Sequence, residues 1–298
     1  VGGSKILHFR EAFHGRSGYT MSVTNTDPMK VAYFPKFDWP RVTTPKRWFP
    51  DTPDNLRKTI ETEHHAYTEI QRAFEDYPGE IAAILIEPIQ AEGGDNHFRP
   101  EFLRCLRCLA DEHDALLIFD EVQTGFGITG TFWAYEQCGA TPDIVAFGKK
   151  AQVCGIMATR RLDEVDDHVF QISSRINSTW GGNLVDMVRS AKYLEVIEED
   201  GLVENAARVG AYLLQRFEQL ERDFPRYVSN ARGRGLMCAF TMPSAELRNA
   251  LRSACYEQRV AVLPCGPTSI RVRPCLTVTN DEVDVCMQAI EAALQTLD

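Results

Sequence analysis

The spacing of apolar residues changes along the chain, and each change predicts an element. Lys5 to Phe9 reads as a short strand. Asn55 to Tyr77 is long and polar with thin apolar spacing, a helix. Ile81 to Ile86 is a continuous apolar run, as expected of a strand buried on both faces. Glu101 to His113 puts Phe102, Leu106 and Leu109 on one side of a helix. Ala115 to Phe119 is a second buried strand, and Ile144 to Phe147 a shorter third. Strands alternating with helices predict an α/β fold with a mostly parallel sheet.

After Asn183 the texture changes. Asp186 to Glu199 is amphipathic, with Met187, Ala191, Leu194 and Ile197 on one face and Gly201 placed to end the helix. A second helix is expected from Leu202 to Arg222. Short strands follow near Leu236 to Thr241, Val260 to Leu263 and Ile270 to Val272, with a helix from Ala245 to Gln258. The last helix opens on a capping box, Thr279 with Glu282, and continues through Val283, Met287, Ile290 and Leu294. The pattern divides the chain into a large domain, 1–185, and a smaller α+β domain, 186–298.

Composition removes whole classes of function. Of 298 residues, 32 are Lys or Arg and 42 are Asp or Glu, a formal charge of −10 that argues against a nucleic-acid binder. No apolar run is long enough for a membrane helix. The nine cysteines are odd in number and follow no secretory leader, so a reducing cytoplasm is expected rather than a disulfide framework. Cys105 and Cys108 form a C-x-x-C inside a helical run, without a second pair at zinc spacing, so no metal site is expected.

Three places could carry chemistry. Asp120 and Glu121 directly follow the apolar run 116–119, at the strand end where open α/β sheets bind ligands. An acid there needs a cationic partner, a helix to cap, or a ligand. Gly125, Gly127 and Gly130 match G-x-G-x-x-G. The strand-to-turn spacing of a dinucleotide fingerprint is missing, so these glycines are expected to bring the loop close to a bound group. Lys149 and Lys150 end the third strand. A lysine desolvated there has a lowered pKa and a free amine, whereas a surface pair is merely solvated. An acid and an amine at the ends of two strands are what pyridoxal phosphate requires.

The stretch Leu117 to Gly127, with Gly130, Pro142-Asp143-Ile144 and Gly148-Lys149, resembles the class III aminotransferases of fold type I, and the likeness extends over the whole chain. Phe13-His14-Gly15-Arg16, Glu87-Pro88-Ile89-Gln90 and Ser178-Thr179-Trp180 are most similar to the lysine-acting branch. The resemblance implies pyridoxal 5′-phosphate as cofactor and transfer of the ε-amino group of L-lysine to 2-oxoglutarate. Ornithine, acetylornithine and GABA are the alternative donors, and a fragment with impaired catalysis is the alternative to an active enzyme.

The resemblance also assigns roles. Lys149, not Lys150, matches the Schiff-base lysine, and Asp120 the acid that keeps the pyridine nitrogen protonated. Gln123 approaches the phenolic oxygen, and Phe13 or His14 lies against the ring. Thr179 reaches the phosphate of the neighbouring subunit, which implies a homodimer. Arg271 and Arg16 hold substrate carboxylates, Glu92 covers Arg271 while the amine donor is bound, and Asn177 joins the substrate-binding set. For Arg16, Glu92 and Arg271 a structural ion pair is the alternative. Gln152-Val153-Cys154-Gly155 stands where most of the family has a Gly-Gly and a Pro. The family's phosphate-binding turn and helix are expected to precede the first residue of this chain.

Overall fold

Apolar strands without alternation must be covered on both faces, and the first half of the chain builds that arrangement. A computed structural model describes residues 2–176 and 178–297. In chain order it contains β1 (Lys5–Phe9), α1 (Thr20–Val23), β2 (Arg41–Val42), α2 (Pro53–Asp76), β3 (Ile81–Ile86), β4 (Ile89–Gln90), β5 (Asn96–His97), α3 (Pro100–Glu112), β6 (Leu116–Asp120), β7 (Ile144–Phe147) and β8 (Gly155–Ala158). There follow α4 (Leu184–Glu199), α5 (Leu202–Asp223), β9 (Ser229–Arg234), β10 (Met237–Thr241), α6 (Ala245–Glu257), β11 (Leu263–Cys265), β12 (Ser269–Val272) and α7 (Asn280–Gln295).

Six strands form one sheet in the order β2-β1-β3-β6-β7-β8. Its neighbours are parallel except β8, which returns antiparallel on β7. Register lines up Leu7, Ile84 and Leu117 across β1, β3 and β6, each fully buried. Each contributes about 1.5–3 kcal/mol by leaving water. Phe74 of α2 and Phe102 and Leu106 of α3 complete this core. Thr52 caps α2 by accepting from the Asn55 N–H, and Pro53 occupies its first turn, so the helix starts two residues before the apolar spacing becomes visible.

The second sheet is antiparallel, in the order β11-β12-β10-β9. Residues from α5, α6 and α7 share its core, where Phe217 and Phe240 meet edge to face at 5.1 Å. The capping box of α7 forms as its pattern predicts. β9 carries no strand signal, since Ser229 to Arg234 is mostly polar; pairing with β10 imposes the conformation. The expected strand at Val260 to Leu263 instead begins at Leu263, because the Val260 N–H closes the end of α6 on the Cys255 carbonyl.

The apolar face expected on α4 is not covered. Met187 and Leu194 are 50% and 38% exposed, and of the four expected residues only Ile197 is buried. The helix packs through its last turn, where Val196 and Ile197 join Phe126, Ala151 and Leu202. Gly201 takes the left-handed conformation directly after the C-cap Asp200 and also starts α5.

The glycine loop also packs against the fold. Gly127 and Gly130, with φ of 87° and 84°, lie against Val203 and Ala207 of α5, where a Cβ would sit 3.1 and 3.0 Å away. The carbonyl of Ile128 between them accepts from the Leu236 N–H and ties the first sheet to the second.

Candidate active site

β6 and β7 run parallel with Asp120 opposite Ala146, so the acid ending β6 and the lysine turn following β7 emerge at the same carboxyl edge of the sheet. Asp120 is buried, and its charge is met on both oxygens. Oδ2 lies 2.7 Å from His14 Nδ1, and Oδ1 accepts the Val122 N–H at 3.0 Å. Charge-assisted bonds of this kind offset the cost of burial. The His14 side chain is only 3% exposed, and its Nε2 is buried without a partner.

Glu87, directly after β3, stands behind this pair. Its two oxygens accept the Phe13 and Ala91 N–H groups, each at 3.0 Å. Burial pushes its carboxyl up to about 7, against the opposing charge of His14 and with that of Asp120. Burial disfavours the His14 imidazolium, but the Asp120 hydrogen bond and the charges of Asp120 and Glu87 outweigh it and raise the pKa. The histidine is therefore turned toward the acid, which leaves half-buried Phe13 as the ring free for another partner. Lys30 Nζ already lies 5.6 Å from the Phe13 ring centroid.

The two lysines divide the properties expected of one. Lys149 is exposed, in the left-handed region at φ 49°. That turn sends Lys150 inward, where its Nζ donates to the Gln123 carbonyl at 2.7 Å. Burial, with the charges of Arg273 and Lys149, lowers the Lys150 pKa to about 7. Desolvation thus falls on Lys150, while the family resemblance selects Lys149. Both line one cavity of about 460 Å³ with Gln123, Tyr193, Ile197 and Arg273.

Arg271 and Glu92 lie close but are not paired. The Arg271 Nη1 donates to the Ala91 carbonyl at 3.2 Å, and its Nε is buried without a partner. Glu92 is turned instead to Thr26, 3.0 Å away, and to Lys30. The ion-pair alternative for Glu92 is realised, with Lys30 and not with an arginine. Arg16 is exposed, as is the turn carrying Thr179 and Trp180; Asn177 lies outside the described residues.

This arrangement fits the ring and amine ends of the cofactor that the resemblance implies. A buried carboxylate can hold a ring nitrogen's proton, an amine stands at the next strand, and the Gln123 amide has an NH2 group without a protein acceptor among the described residues. Comparison with known families matches residues 2–294 to the family described as Aminotransferase class-III.

The chain belongs to the class III aminotransferase family.

The L-lysine-epsilon aminotransferase of Mycobacterium tuberculosis (strain ATCC 25618 / H37Rv) is 54% identical over 292 residues, 98% of this chain and 64% of that protein. The L-lysine-epsilon aminotransferase of Streptomyces clavuligerus is 49% identical over 97% of this chain and 64% of its own length. This class III aminotransferase therefore spans less than two thirds of those relatives. The solved structure of lysine aminotransferase from M. tuberculosis in the internal aldimine form superposes with a TM-score of 0.96 at 53% identity, covering 99% of this chain and 67% of that one.

Sequence reasoning left three residues of the class III aminotransferase site without roles: Glu87, Asp95 and Arg273. Asp95 is fully buried and accepts from Arg273 at 2.6 Å. Arg273 had a signal, because residues two apart near a strand end project to the same face, and Arg271 was already assigned. Asp95, in a glycine-rich turn, had none.

Proposed function

We propose that this aminotransferase uses pyridoxal 5′-phosphate to move the ε-amino group of L-lysine to 2-oxoglutarate, giving 2-aminoadipate 6-semialdehyde and glutamate. The observation that carries the reading is the buried Asp120–His14 pair at the end of β6, beside the lysine turn of β7. The likeness to lysine aminotransferases supports the choice of donor.

When bound, the cofactor supplies an aldehyde for the amine and an electron sink for the carbanion left by proton loss. The residues supply the rest. Asp120, oriented by His14, holds the proton on the ring nitrogen. Phe13 would lie against the ring, and Gln123 would donate to the phenolic oxygen. Lys149 provides the reacting amine and carries protons at its Nζ. Arg271 grips a carboxylate through its planar fork, and Arg16 and Asn177 receive the remaining polar groups of lysine. Glu92 alternates between Arg271 and the Lys30–Thr26 position it occupies here.

The same reading divides the molecule into a cofactor-binding part, 1–185, and a smaller part, 186–298, and makes the enzyme a cytoplasmic homodimer in which Thr179 serves the neighbouring site. Trp180, Leu184 and Val188, between 72% and 80% exposed, support such an interface.

Borohydride reduction of the cofactor-loaded protein followed by peptide mapping tests the site. The label is expected on Lys149; label on Lys150 reassigns the amine, and a colourless protein that cannot be loaded overturns the reading. Donor profiling with lysine, ornithine and GABA tests the substrate, and steady-state plots are expected to run parallel.

A further inference from the structure

Arg273, which follows β12, ends between Asp95, in the turn between β4 and β5, and Gln123, in the loop after β6. Its side chain is 10% exposed. Nη2 donates to Asp95 Oδ1 at 2.6 Å, and Nη1 donates to Gln123 Oε1 at 2.7 Å. Asp95 is itself held in place, because Arg232 of β9 donates to its carbonyl at 3.0 Å and to that of Gly94. Both terminal nitrogens of the guanidinium are therefore engaged, Nη2 on a held anchor, while its Nε is buried without a partner.

A guanidinium carries donors only, so the group that Gln123 turns toward it must be the amide oxygen. That choice points the amide NH2 the other way. The backbone carbonyl of Gln123 is already engaged by Lys150 Nζ at 2.7 Å. With both oxygens occupied, the NH2 is the one side-chain polar group of residue 123 left to meet a ligand, and Gln123 lines the same cavity as Lys149. Without Arg273 the amide could turn over and present its oxygen instead.

We propose that Arg273 is a positioning residue that fixes the Gln123 amide with its NH2 toward the cofactor's phenolic oxygen, so that the segment after β12 sets a hydrogen bond made in the loop after β6. The proposal rests on the cofactor reading above. A donor at that oxygen stabilises its negative charge and weakens its hold on a shared proton. Removing the fork therefore moves the pH midpoint of the cofactor's visible absorption band upward.

The test compares the loaded parent protein with Arg273→Gln and Arg273→Lys. In the Arg273→Gln variant the band midpoint is expected to rise by about one pH unit, and cofactor dissociation to become about tenfold easier, the scale of one hydrogen bond. Arg273→Lys keeps a cation opposite Asp95 but cannot fork to both partners. It should show the raised midpoint with a melting temperature near that of the parent, and it decides the matter if the Gln variant does not fold. A purely structural arginine would lower the melting temperature and leave the midpoint in place, which overturns the proposal. A parent protein with no titrating band overturns the cofactor reading itself, and the role of Arg273 with it.

Discussion

Helices α4 and α7 are each sixteen residues long and each carries an apolar stripe, yet α7 buries six residues and α4 two. The stripe of α7 lies on the second sheet, with Val283, Met287, Ile290 and Leu294 closed into its core. In α4, Leu184, Val185 and Val188 face outward, and only its last turns approach the cavity, through Tyr193, Val196 and Ile197. Periodicity fixes which face of a helix is apolar; what covers that face is decided elsewhere. One region owes its residues to stability, while the other holds buried charge, an exposed lysine and uncovered apolar surface in the service of a site.

Four experiments can break that contrast. The largest effect belongs to Lys149→Ala, which should lower amine transfer on the order of 10⁴-fold, about 5.5 kcal/mol of barrier, with the melting temperature unchanged. A parallel collapse of stability would put this lysine in the structural class. Next is Ile290→Ala in α7, expected to cost 2–5 kcal/mol in urea unfolding at constant activity per folded molecule. A catalytic defect in the folded fraction would erase the division.

The third is a pH effect. The buried Glu87 carboxyl keeps its proton up to about 7, whereas in the unfolded chain it loses it near 4.5. The folded state therefore binds the extra proton between these values, and stability falls as pH rises through the window, by roughly 3 kcal/mol. The raised pKa of His14 acts in the same direction, its contribution being lost as pH climbs past its folded value. Glu87→Gln should flatten the slope of urea stability against pH; an unaltered slope would remove Glu87 from the account. The smallest effect is expected at Val188→Gln on α4, within about 0.5 kcal/mol for unfolding of the single chain. Its consequence should appear in sedimentation as weaker dimerisation.

The elements that could be read directly from the sequence are those whose burial has a period. β1, β3, α3 and α7 fall where their apolar spacing puts them. β9 was hidden because it is polar and becomes a strand by pairing, and β8 because its four residues form an edge exposed over Ile156 to Ala158. At the site, Asp120 and the lysine turn stood out because each ends an apolar run. Which lysine is buried depends on the left-handed turn at Lys149, and no composition encodes that. The partner of Glu92 and the fork of Arg273 arise between residues 62 and 150 or more positions apart, across distances that local pattern does not span.

The charge of the molecule is unevenly spread. An acidic protein, formally −10, gathers Lys149 and Arg273 around one cavity, with Arg271 alongside and Asp95 as the buried counter-ion of Arg273. Field lines from such a cluster concentrate in the cleft while the rest of the surface repels anions. If, as proposed, a keto acid accepts the amine, its encounter rate is expected to follow this small patch and not the net charge. It should fall steeply as salt shortens the screening length to about 10 Å at 0.1 M.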